Sequence, residues 1–260
     1  MPRRSRLHIP QHHSRPGEEP DFSYLETSPA GAVPRPDVNA RVRDIGNLAI
    51  DLVRVLDDNH VAVGQWNPHL EVQDLQIGLR HMLLTRIFDE RMQRAQRQGK
   101  TSFYMRCLGE EAVSVAQGMA LRPKDMLFPA YRNQGLYVVR GRPLVDLMCQ
   151  LLSNTRDMCK GRQLPVMYHW AEGRIFSISG NLTTQFPQAV GWAMAAAIKG
   201  EDDIAVSWIG EGSSAEADFH HAMLFASVYQ APVILNIVNN QWAISTFQGF
   251  AGGEQRSFAA

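Results

Sequence analysis

Two short polar segments carry the side chains that are best suited to chemistry. Residues 210–213 read Gly-Glu-Gly-Ser, and residues 239–241 read Asn-Asn-Gln. Glu211 offers a carboxylate and Asn240 a side-chain amide oxygen, which are the hard oxygen ligands that Mg²⁺ takes when phosphate completes its coordination. The glycines let a ligand approach the backbone closely. Together the two segments predict a magnesium diphosphate site.

Each of these segments follows a short apolar run that is rich in β-branched residues. The runs, residues 204–209 and 233–238, predict two buried strands. A right-handed crossover between them would make the strands parallel, so that both polar segments leave the same edge of the sheet.

The segment between these strands has the pattern of a helix. Ser213 and Glu216 have the spacing of a capping box, and the helix N-terminus after Ser213 would offer N–H groups to an anion. The predicted apolar surface of the helix comprises Ala222, Met223, Phe225, Ala226 and Val228.

A cationic candidate lies upstream, in the pair Tyr131 and Arg132. The pair follows a predicted strand over residues 126–129. An arginine at the end of a parallel strand can bind phosphate through two parallel hydrogen bonds, and a surface salt bridge is the alternative. Residues 160–165 (KGRQLP) form a basic loop that either approaches a phosphate or is solvated.

A long helix is predicted between the turn at residues 64–68 and Gly99. The arginines near its C-terminal end complement the helix dipole and read as a solvated face, with contact to a partner subunit as the alternative. The predicted apolar face of this helix comprises Leu75, Leu79, Met82, Leu83, Ile87 and Met92.

Shorter elements complete an alternating pattern that predicts an α/β fold with a parallel sheet flanked by helices. A face of small residues around Gly191 and Ala195 suits either tight internal packing or a subunit interface. The remaining predicted elements are helices over residues 109–121, 145–152 and 186–199 and a strand over residues 175–179.

Composition narrows the class of protein only loosely. The chain has 260 residues, 45% of them hydrophobic, with 26 basic and 26 acidic side chains and no net charge. This balance indicates neither a nucleic-acid nor a membrane surface, and no run has the length of a transmembrane helix. The three cysteines (Cys107, Cys149 and Cys159) form no CxxC pair, which fits a reducing compartment.

The first residues differ from the rest in being rich in arginine and proline. We interpret residues 1–45 as an extended arm that packs on a partner or a neighbouring subunit, anchored by Phe22, Tyr24 and Leu25, and residues 46–260 as one α/β domain. A targeting peptide is the less favoured alternative, because prolines interrupt an amphipathic presequence. His12 and His13 read as solvated side chains.

These features together resemble a known family. The sequence is similar to the alpha subunits of the thiamine diphosphate-dependent 2-oxo acid dehydrogenases, most closely the bacterial branched-chain (2-oxoisovalerate) type. The resemblance covers nearly the whole chain and implies the thiamine diphosphate-binding fold. It rests on residues 21–25, 102–105, 109–111, 131–132, 160–165, 178–185, 210–212 and 239–245.

The resemblance implies a role for each matching position. Glu211, the Asn240 side chain and the Trp242 carbonyl match Mg²⁺ ligands. Asn181 replaces a common proline, and Val238 stands where many relatives have an arginine that contacts phosphate. The matching cofactor contacts are Tyr131, Arg132, Gly180, Leu182, Gly210, Gly212 and Ser213, and the matching monovalent-cation (K⁺) ligands are Ser179, Asn181, Thr184 and Gln185.

The implied activity is oxidative decarboxylation of a 2-oxo acid in branched-chain amino acid catabolism, in the bacterial cytoplasm. The first implied partner is a beta subunit, which contributes the carboxylate that activates the cofactor and forms an alpha2beta2 heterotetramer with this chain. The second is a lipoyl-bearing acyltransferase of the multienzyme complex.

Relatives continue beyond the position of Ala260 through a loop with an active-site histidine. We therefore expect a chain truncated at its C-terminus, without a catalytic residue of its own. A non-catalytic remnant that keeps the fold and the subunit interface is one alternative, and a pyruvate- or acetoin-type relative is another.

Overall fold

The computed structural model describes residues 7–12, 14, 15, 17–19, 21, 23, 28–251 and 258. The chain forms two compact units, a terminal unit of Met1–Leu70 with Asn239–Ala260 and a central unit of Glu71–Val238. The expected division into an arm and one domain at residue 45 stays a prediction. The expected anchors Phe22, Tyr24 and Leu25 lie outside the described residues, as do His13 and nearly all of residues 252–260.

The central unit contains a sheet of three parallel strands in the order β1, β2, β3. These strands are β1 (Met126–Phe128), β2 (Ala205–Gly210) and β3 (Val233–Val238). Gly210 pairs with Val238, so β2 and β3 end side by side. The predicted parallel pair is confirmed, and residues 205–209 of β2 are buried. The prediction of burial was wrong for β3, which is mostly half-buried because it lies at the edge of the sheet, with one neighbouring strand among the described residues.

Six helices surround this sheet in the described part of the central unit. Helix α5 packs against β1 and β2, and it ends at Gly200, whose φ of 75° suits a helix C-terminus. The helices are α1 (Val72–Arg97), α2 (Glu111–Ala120), α3 (Gln134–Val139), α4 (Leu144–Leu151), α5 (Gln185–Lys199) and α6 (Ala217–Tyr229).

One side of α5 packs against the sheet through short side chains. Ala189 and Ala193 are fully buried and form one apolar cluster with Phe128 of β1 and Ala205 of β2. Gly191 and Ala195 are exposed, so the two alternatives for the face around them both stay open. A second cluster on the same helix, Phe186 and Val190, packs with Ile209 and with Phe219 and Ala222 of α6.

Helix α1 forms where expected, but the prediction of its packed face was wrong. Leu75, Leu79, Leu83 and Ile87 are exposed within the described residues. The buried side chains of α1 are Thr85, Phe88, Asp89 and Met92, half of which are polar. Of the predicted face only Met92 is buried, and it shares the inward side of the helix with the hydrogen-bonded Asp89, which an apolar pattern does not indicate.

Two local predictions around the sheet were also wrong. Residues 175–179 do not form a regular strand: Ile175 makes one bridge to Leu127 of β1 and one to Trp170. β1 has only three residues, and the backbone hydrogen bonds of this segment to it are those made by Leu127, with Arg174 and Phe176.

The start of α6 also differs from the prediction. Residues Glu211–Ala215 form a 3-10 helix, and α6 begins after Glu216, so Ser213 is not its N-cap and its N-terminal N–H groups are not those after Ser213. Phe225 and Val228 are exposed, because the inward face of α6 is the one that carries Phe219 and Ala222.

The terminal unit consists mostly of turns. It contains 3-10 helices at Val42–Asp44 and Gly46–Ala49 and an antiparallel pair of β4 (Trp242–Ala243) with β5 (Thr246–Phe247), followed by α7 (Gln248–Ala251). Gly31 and Gly64 touch backbone to backbone: a Cβ on Gly64 would lie 2.3 Å from the Gly31 Cα. No helix within the described residues is long and apolar enough to cross a membrane.

His12 packs within this unit and is only partly solvated. Its ring lies 5.6 Å from the Trp242 ring and 6.3 Å from the Phe247 ring, centroid to centroid. The Arg15 Nε donates to its Nε2 at 3.0 Å. This part of the arm therefore contacts its own chain. Among the described residues, no cluster of three or more His, Cys, Asp or Glu side chains could hold a metal.

Candidate functional site

Glu211 stands at the carboxyl end of β2 and begins the 3-10 helix Glu211–Ala215. Glu211 is only 2% exposed, although it lies just beyond the last residue of β2. The Ser214 hydroxyl donates to the Glu211 carbonyl at 2.7 Å, which closes the turn. The structure thus holds this carboxylate where a strand-end ligand site is expected.

Tyr131 and Arg132 follow β1, the neighbouring strand. The Arg132 guanidinium lies over the Tyr131 ring, 5.5 Å from its centroid, and its Nη1 donates to the Arg106 carbonyl. A guanidinium has five N–H donors in a fixed plane. This contact fixes the plane through one nitrogen, and the other donors can serve an anion.

Glu110, the residue before α2, links these two charges. Burial, together with the Glu211 carboxylate, raises the pKa of Glu110, whereas Arg132 acts in the opposite direction. Arg132 and Glu211 therefore both lie within electrostatic reach of one carboxyl group. The sequence analysis did not identify Glu110 as a site residue, because an acidic residue at a helix start is explained by the dipole alone. The signal that could have found it is the Gly-Glu-Glu sequence at residues 109–111.

The loop before α5 is tied to the same end of β2. The Thr183 hydroxyl donates to the Ser213 carbonyl at 2.7 Å, and the Gln185 amide donates to the Trp208 carbonyl at 2.8 Å. Leu182, which precedes Thr183 in the loop, is 47% exposed. An exposed leucine beside a hydrogen-bonded, well-held backbone offers an apolar surface to a ligand. Thr183 was not among the predicted site residues.

The glycines of the site stand in open space. Apart from the adjacent residues of the chain, no heavy atom of the described residues lies within 4 Å of the point where a Cβ would stand on Gly180 or Gly210. Packing within the chain therefore does not explain glycine at either position. Approach of a ligand to the backbone would explain it.

The candidate monovalent-cation ligands hydrogen-bond mostly to one another. The Ser179 hydroxyl accepts from the Asn181 N–H at 3.1 Å, and the Thr184 hydroxyl donates to the Asn181 carbonyl at 3.1 Å. Together with Gln185 they form a compact polar turn. Their role as K⁺ ligands stays a prediction.

The second predicted metal segment belongs to the terminal unit. The Asn240 side-chain oxygen accepts from the Trp242 N–H at 2.9 Å, and the Asn239 oxygen accepts from the Gln241 N–H at 2.9 Å. These are consecutive Asx turns, and Gln241 has a φ of 68°. The turns orient both amide groups, and each carbonyl oxygen keeps a second lone pair.

The basic loop at residues 160–165 fits the solvated alternative. Lys160 and Arg162 are exposed. Asp157 closes the start of the loop by accepting from the Cys159 N–H at 2.9 Å and the Gly161 N–H at 2.8 Å. The contacts of the loop are therefore those of a turn.

Comparison with known proteins gives a consistent result. Residues 79–258 match the dehydrogenase E1 component family, and residues 3–42 match the 2-oxoisovalerate dehydrogenase E1 alpha subunit N terminal. The chain is 61% identical over 254 residues to the 2-oxoisovalerate dehydrogenase subunit alpha of Pseudomonas aeruginosa, an alignment that covers 98% of this chain and 62% of that protein.

More distant relatives carry the same designation. The mitochondrial subunit alpha 2 of Arabidopsis thaliana is 39% identical, over 74% of this chain and 41% of the relative. The human mitochondrial subunit alpha is 37% identical, over 76% of this chain and 44% of the relative. The chain thus spans less than two thirds of the length of each.

The family match covers most of the chain, including the sheet and the residues at the ends of β1 and β2. The predicted fold class, a parallel sheet flanked by helices, is confirmed. The chain belongs to the dehydrogenase E1 component family.

Proposed function

We propose that the chain is the alpha subunit of the decarboxylating component of a branched-chain 2-oxo acid dehydrogenase. One observation carries the proposal: the two adjacent parallel strands β1 and β2 lead, at their carboxyl ends, to an arginine, Arg132, and to a buried carboxylate, Glu211. A carboxylate for a metal and an arginine for phosphate are the two groups that a metal diphosphate requires.

The residues present fit thiamine diphosphate with Mg²⁺. Glu211 would hold the metal together with the Asn240 side chain and the Trp242 carbonyl. Within the central unit, β2 and β3 are parallel and end side by side, with Gly210 opposite Val238, which supports a ligand site at this edge of the sheet.

The remaining contacts of the cofactor follow from exposure and space. Arg132 and Tyr131 would bind the diphosphate, and the backbone at Gly210, Gly212 and Ser213 would line it. Leu182 and Gly180 would contact the organic part, because one is an exposed apolar side chain and the other stands in open space. A K⁺ ion would be held by Ser179, Asn181, Thr184 and Gln185.

When bound, thiamine diphosphate supplies the carbon nucleophile and the electron sink for decarboxylation. This chain's residues bind and orient it: Arg132 is itself held by stacking and by a backbone carbonyl, so little ordering is left to accomplish when an anion binds. The substrate would be 3-methyl-2-oxobutanoate, the acid that the names of the relatives denote. A beta subunit would complete an alpha2beta2 heterotetramer, and a lipoyl-bearing acyltransferase would receive the acyl group.

The test is turnover by this chain co-expressed with a beta subunit of the same type. The assay follows reduction of an artificial electron acceptor with Mg²⁺, thiamine diphosphate and 3-methyl-2-oxobutanoate, with pyruvate as the competing substrate. Glu211→Ala should abolish turnover, and Glu216→Ala should not, because Glu216 is an exposed acid near the same turn.

Each outcome of this assay decides a part of the proposal. Turnover that survives Glu211→Ala overturns the metal assignment. Preference for pyruvate overturns the branched-chain substrate. Absence of turnover with every 2-oxo acid, in a complex that contains both subunits, overturns the catalytic function.

A further inference from the structure

Asp89, in the middle of α1, is a fully buried carboxylate with an unusual number of donors. It accepts from the Tyr104 hydroxyl at 3.0 Å, the Arg106 Nε at 2.9 Å and the Cys107 N–H at 2.8 Å, and the Cys107 thiol lies 3.5 Å away. Burial raises the pKa of both Tyr104 and Cys107, so the phenol and the thiol stay protonated and remain donors. The helix thus holds one short segment, residues 104–107, through a single side chain.

The segment held by Asp89 in turn holds the loop that follows β1. The Arg106 carbonyl accepts from the Arg132 Nη1, and the Met105 carbonyl accepts from the Gln134 amide at 3.0 Å. Arg106 is therefore bonded on both sides, to Asp89 through its side chain and to Arg132 through its carbonyl. A continuous series of contacts leads from the middle of α1 to the arginine of the candidate site.

We propose that Asp89 is a positioning residue that sets the guanidinium plane of Arg132 and thereby the affinity for a diphosphate ligand. This inference rests on the proposed function, because it takes Arg132 as the diphosphate contact. Asp89 acts through geometry and not through its charge. Its carboxylate is paired with the Arg106 side chain, 2.9 Å away, whereas Arg132 hydrogen-bonds to the Arg106 carbonyl.

A purely structural role for Asp89 is the competing explanation, and the chain offers a matched control. Asp125 is also buried, is also paired with an arginine, Arg122 at 2.9 Å, and also accepts backbone N–H groups, from Arg122 at 2.8 Å and Ile204 at 3.2 Å. It precedes β1, whereas Arg132 follows that strand. Loss of either carboxylate breaks a buried network, but only the Asp89 network leads to Arg132.

The experiment compares Asp89→Asn with Asp125→Asn. Binding of thiamine diphosphate in the presence of Mg²⁺ is measured by calorimetry on the full chain in complex with its beta subunit, and urea denaturation reports stability. We expect both variants to lose stability, and only Asp89→Asn to weaken thiamine diphosphate binding, by about 10- to 100-fold, as found for residues that orient a ligand-binding group. Binding by Asp125→Asn should change by less than about twofold.

A double-mutant cycle supplies the reading that a structural role would not give. In an Arg132→Gln background, Asp89→Asn should cause no further loss of affinity, because both changes remove the same contact. Should Asp89→Asn not fold, Tyr104→Phe removes one donor to the same carboxylate, and we expect a smaller loss of affinity that also vanishes in the Arg132→Gln background.

The outcomes separate the inference from the proposed function. If the unsubstituted complex does not bind thiamine diphosphate with Mg²⁺, the proposed function fails and the inference falls with it. If it binds, and Asp89→Asn matches Asp125→Asn or adds fully to Arg132→Gln, the proposed function stands and the positioning role of Asp89 is overturned.

Discussion

A hydrogen bond from Thr183 ties the loop before α5 to the Gly-Glu-Gly-Ser turn. Its role can be tested with very small changes of this side chain. Its side chain is fully buried, and its hydroxyl donates to the Ser213 carbonyl at 2.7 Å. Thr183→Val keeps the shape and the branching at Cβ but removes the donor. Thr183→Ser keeps the donor and removes one methyl group.

The structure sets the size of the expected effect. The Ser213 carbonyl also accepts from the Glu216 N–H at 3.2 Å, so Thr183→Val does not leave it without a partner. The cost should then be that of one net hydrogen bond, about 1 kcal/mol, and not the roughly 3 kcal/mol of an unsatisfied buried group. Thr183→Ser loses one buried carbon, also worth about 0.8 kcal/mol. Thr183→Val should therefore be the more destabilised variant, because serine has no branch at Cβ and relieves part of the strain at the φ of 67°.

Two measurements on the same samples test this reasoning. Urea denaturation with an unchanged m-value gives the free energy of unfolding, and calorimetry gives the affinity for thiamine diphosphate with Mg²⁺ in the complex with the beta subunit. Only Thr183→Val should weaken binding, because only it releases the loop that carries Leu182. Equal affinities in the two variants would refute the role of this hydrogen bond in the site, and a loss of 3 kcal/mol would refute the assignment of a second donor to Ser213.

Two further predictions concern packing and pH. Gly135→Ala should destabilise the chain by about 1–3 kcal/mol, because its Cβ would lie 2.9 Å from a side-chain carbon of α2. Gly191→Ala should stabilise α5 by about 0.5–1 kcal/mol, because its Cβ would have no described heavy atom within 4 Å apart from the adjacent residues and the backbone of α5. Thermal denaturation checks both variants, and a stabilised Gly135→Ala would contradict the packing. Burial alone would raise the pKa of Glu111, but its hydrogen bonds with Arg86 and the Gly109 N–H lower the pKa overall. The contribution of the Glu111 carboxylate to stability is therefore present above about pH 4.3 and is lost as the pH falls through the lowered pKa. Between pH 5 and pH 3, the free energy of unfolding should fall less in Glu111→Gln than in the unsubstituted chain. An equal fall in the two proteins would contradict the lowered pKa.

The unit from β2 through α6 to β3 could be predicted because its signals are local. Residues 204–209 and 233–238 match β2 and β3 to within one residue, and the parallel pairing follows from the handedness of the crossover. Strand apolarity, turn glycines and helical periodicity each act over a few residues. The polar ends Glu211 and Asn240 could be identified for the same reason.

Helix α1 shows where local signals stop being sufficient. Its strongest apolar stripe, with Leu79 and Leu83, is exposed within the described residues, and its packed side includes Thr85 and Asp89. Apolar periodicity indicates which faces of a helix are apolar. It carries no information on a carboxylate whose hydrogen-bond donors lie at residues 104–107. Those contacts exist only once the segment has folded back onto the helix, so the sequence alone could not reveal the inward face.

The residues with positive φ mark a second limit, and they bear on function. Val166, Thr183 and Ile244 are β-branched and have φ values of 71°, 67° and 59°, a region that such residues rarely occupy. Local preference opposes this conformation, so no sequence pattern predicts it, and the surrounding contacts must compensate a cost of about 1–3 kcal/mol at each residue. At Thr183 the compensation is visible in the buried hydroxyl that bonds to the Ser213 carbonyl. Because glycine would remove the strain but also the hydroxyl, a threonine here is explained by what its side chain holds in place, which is the turn that carries Glu211.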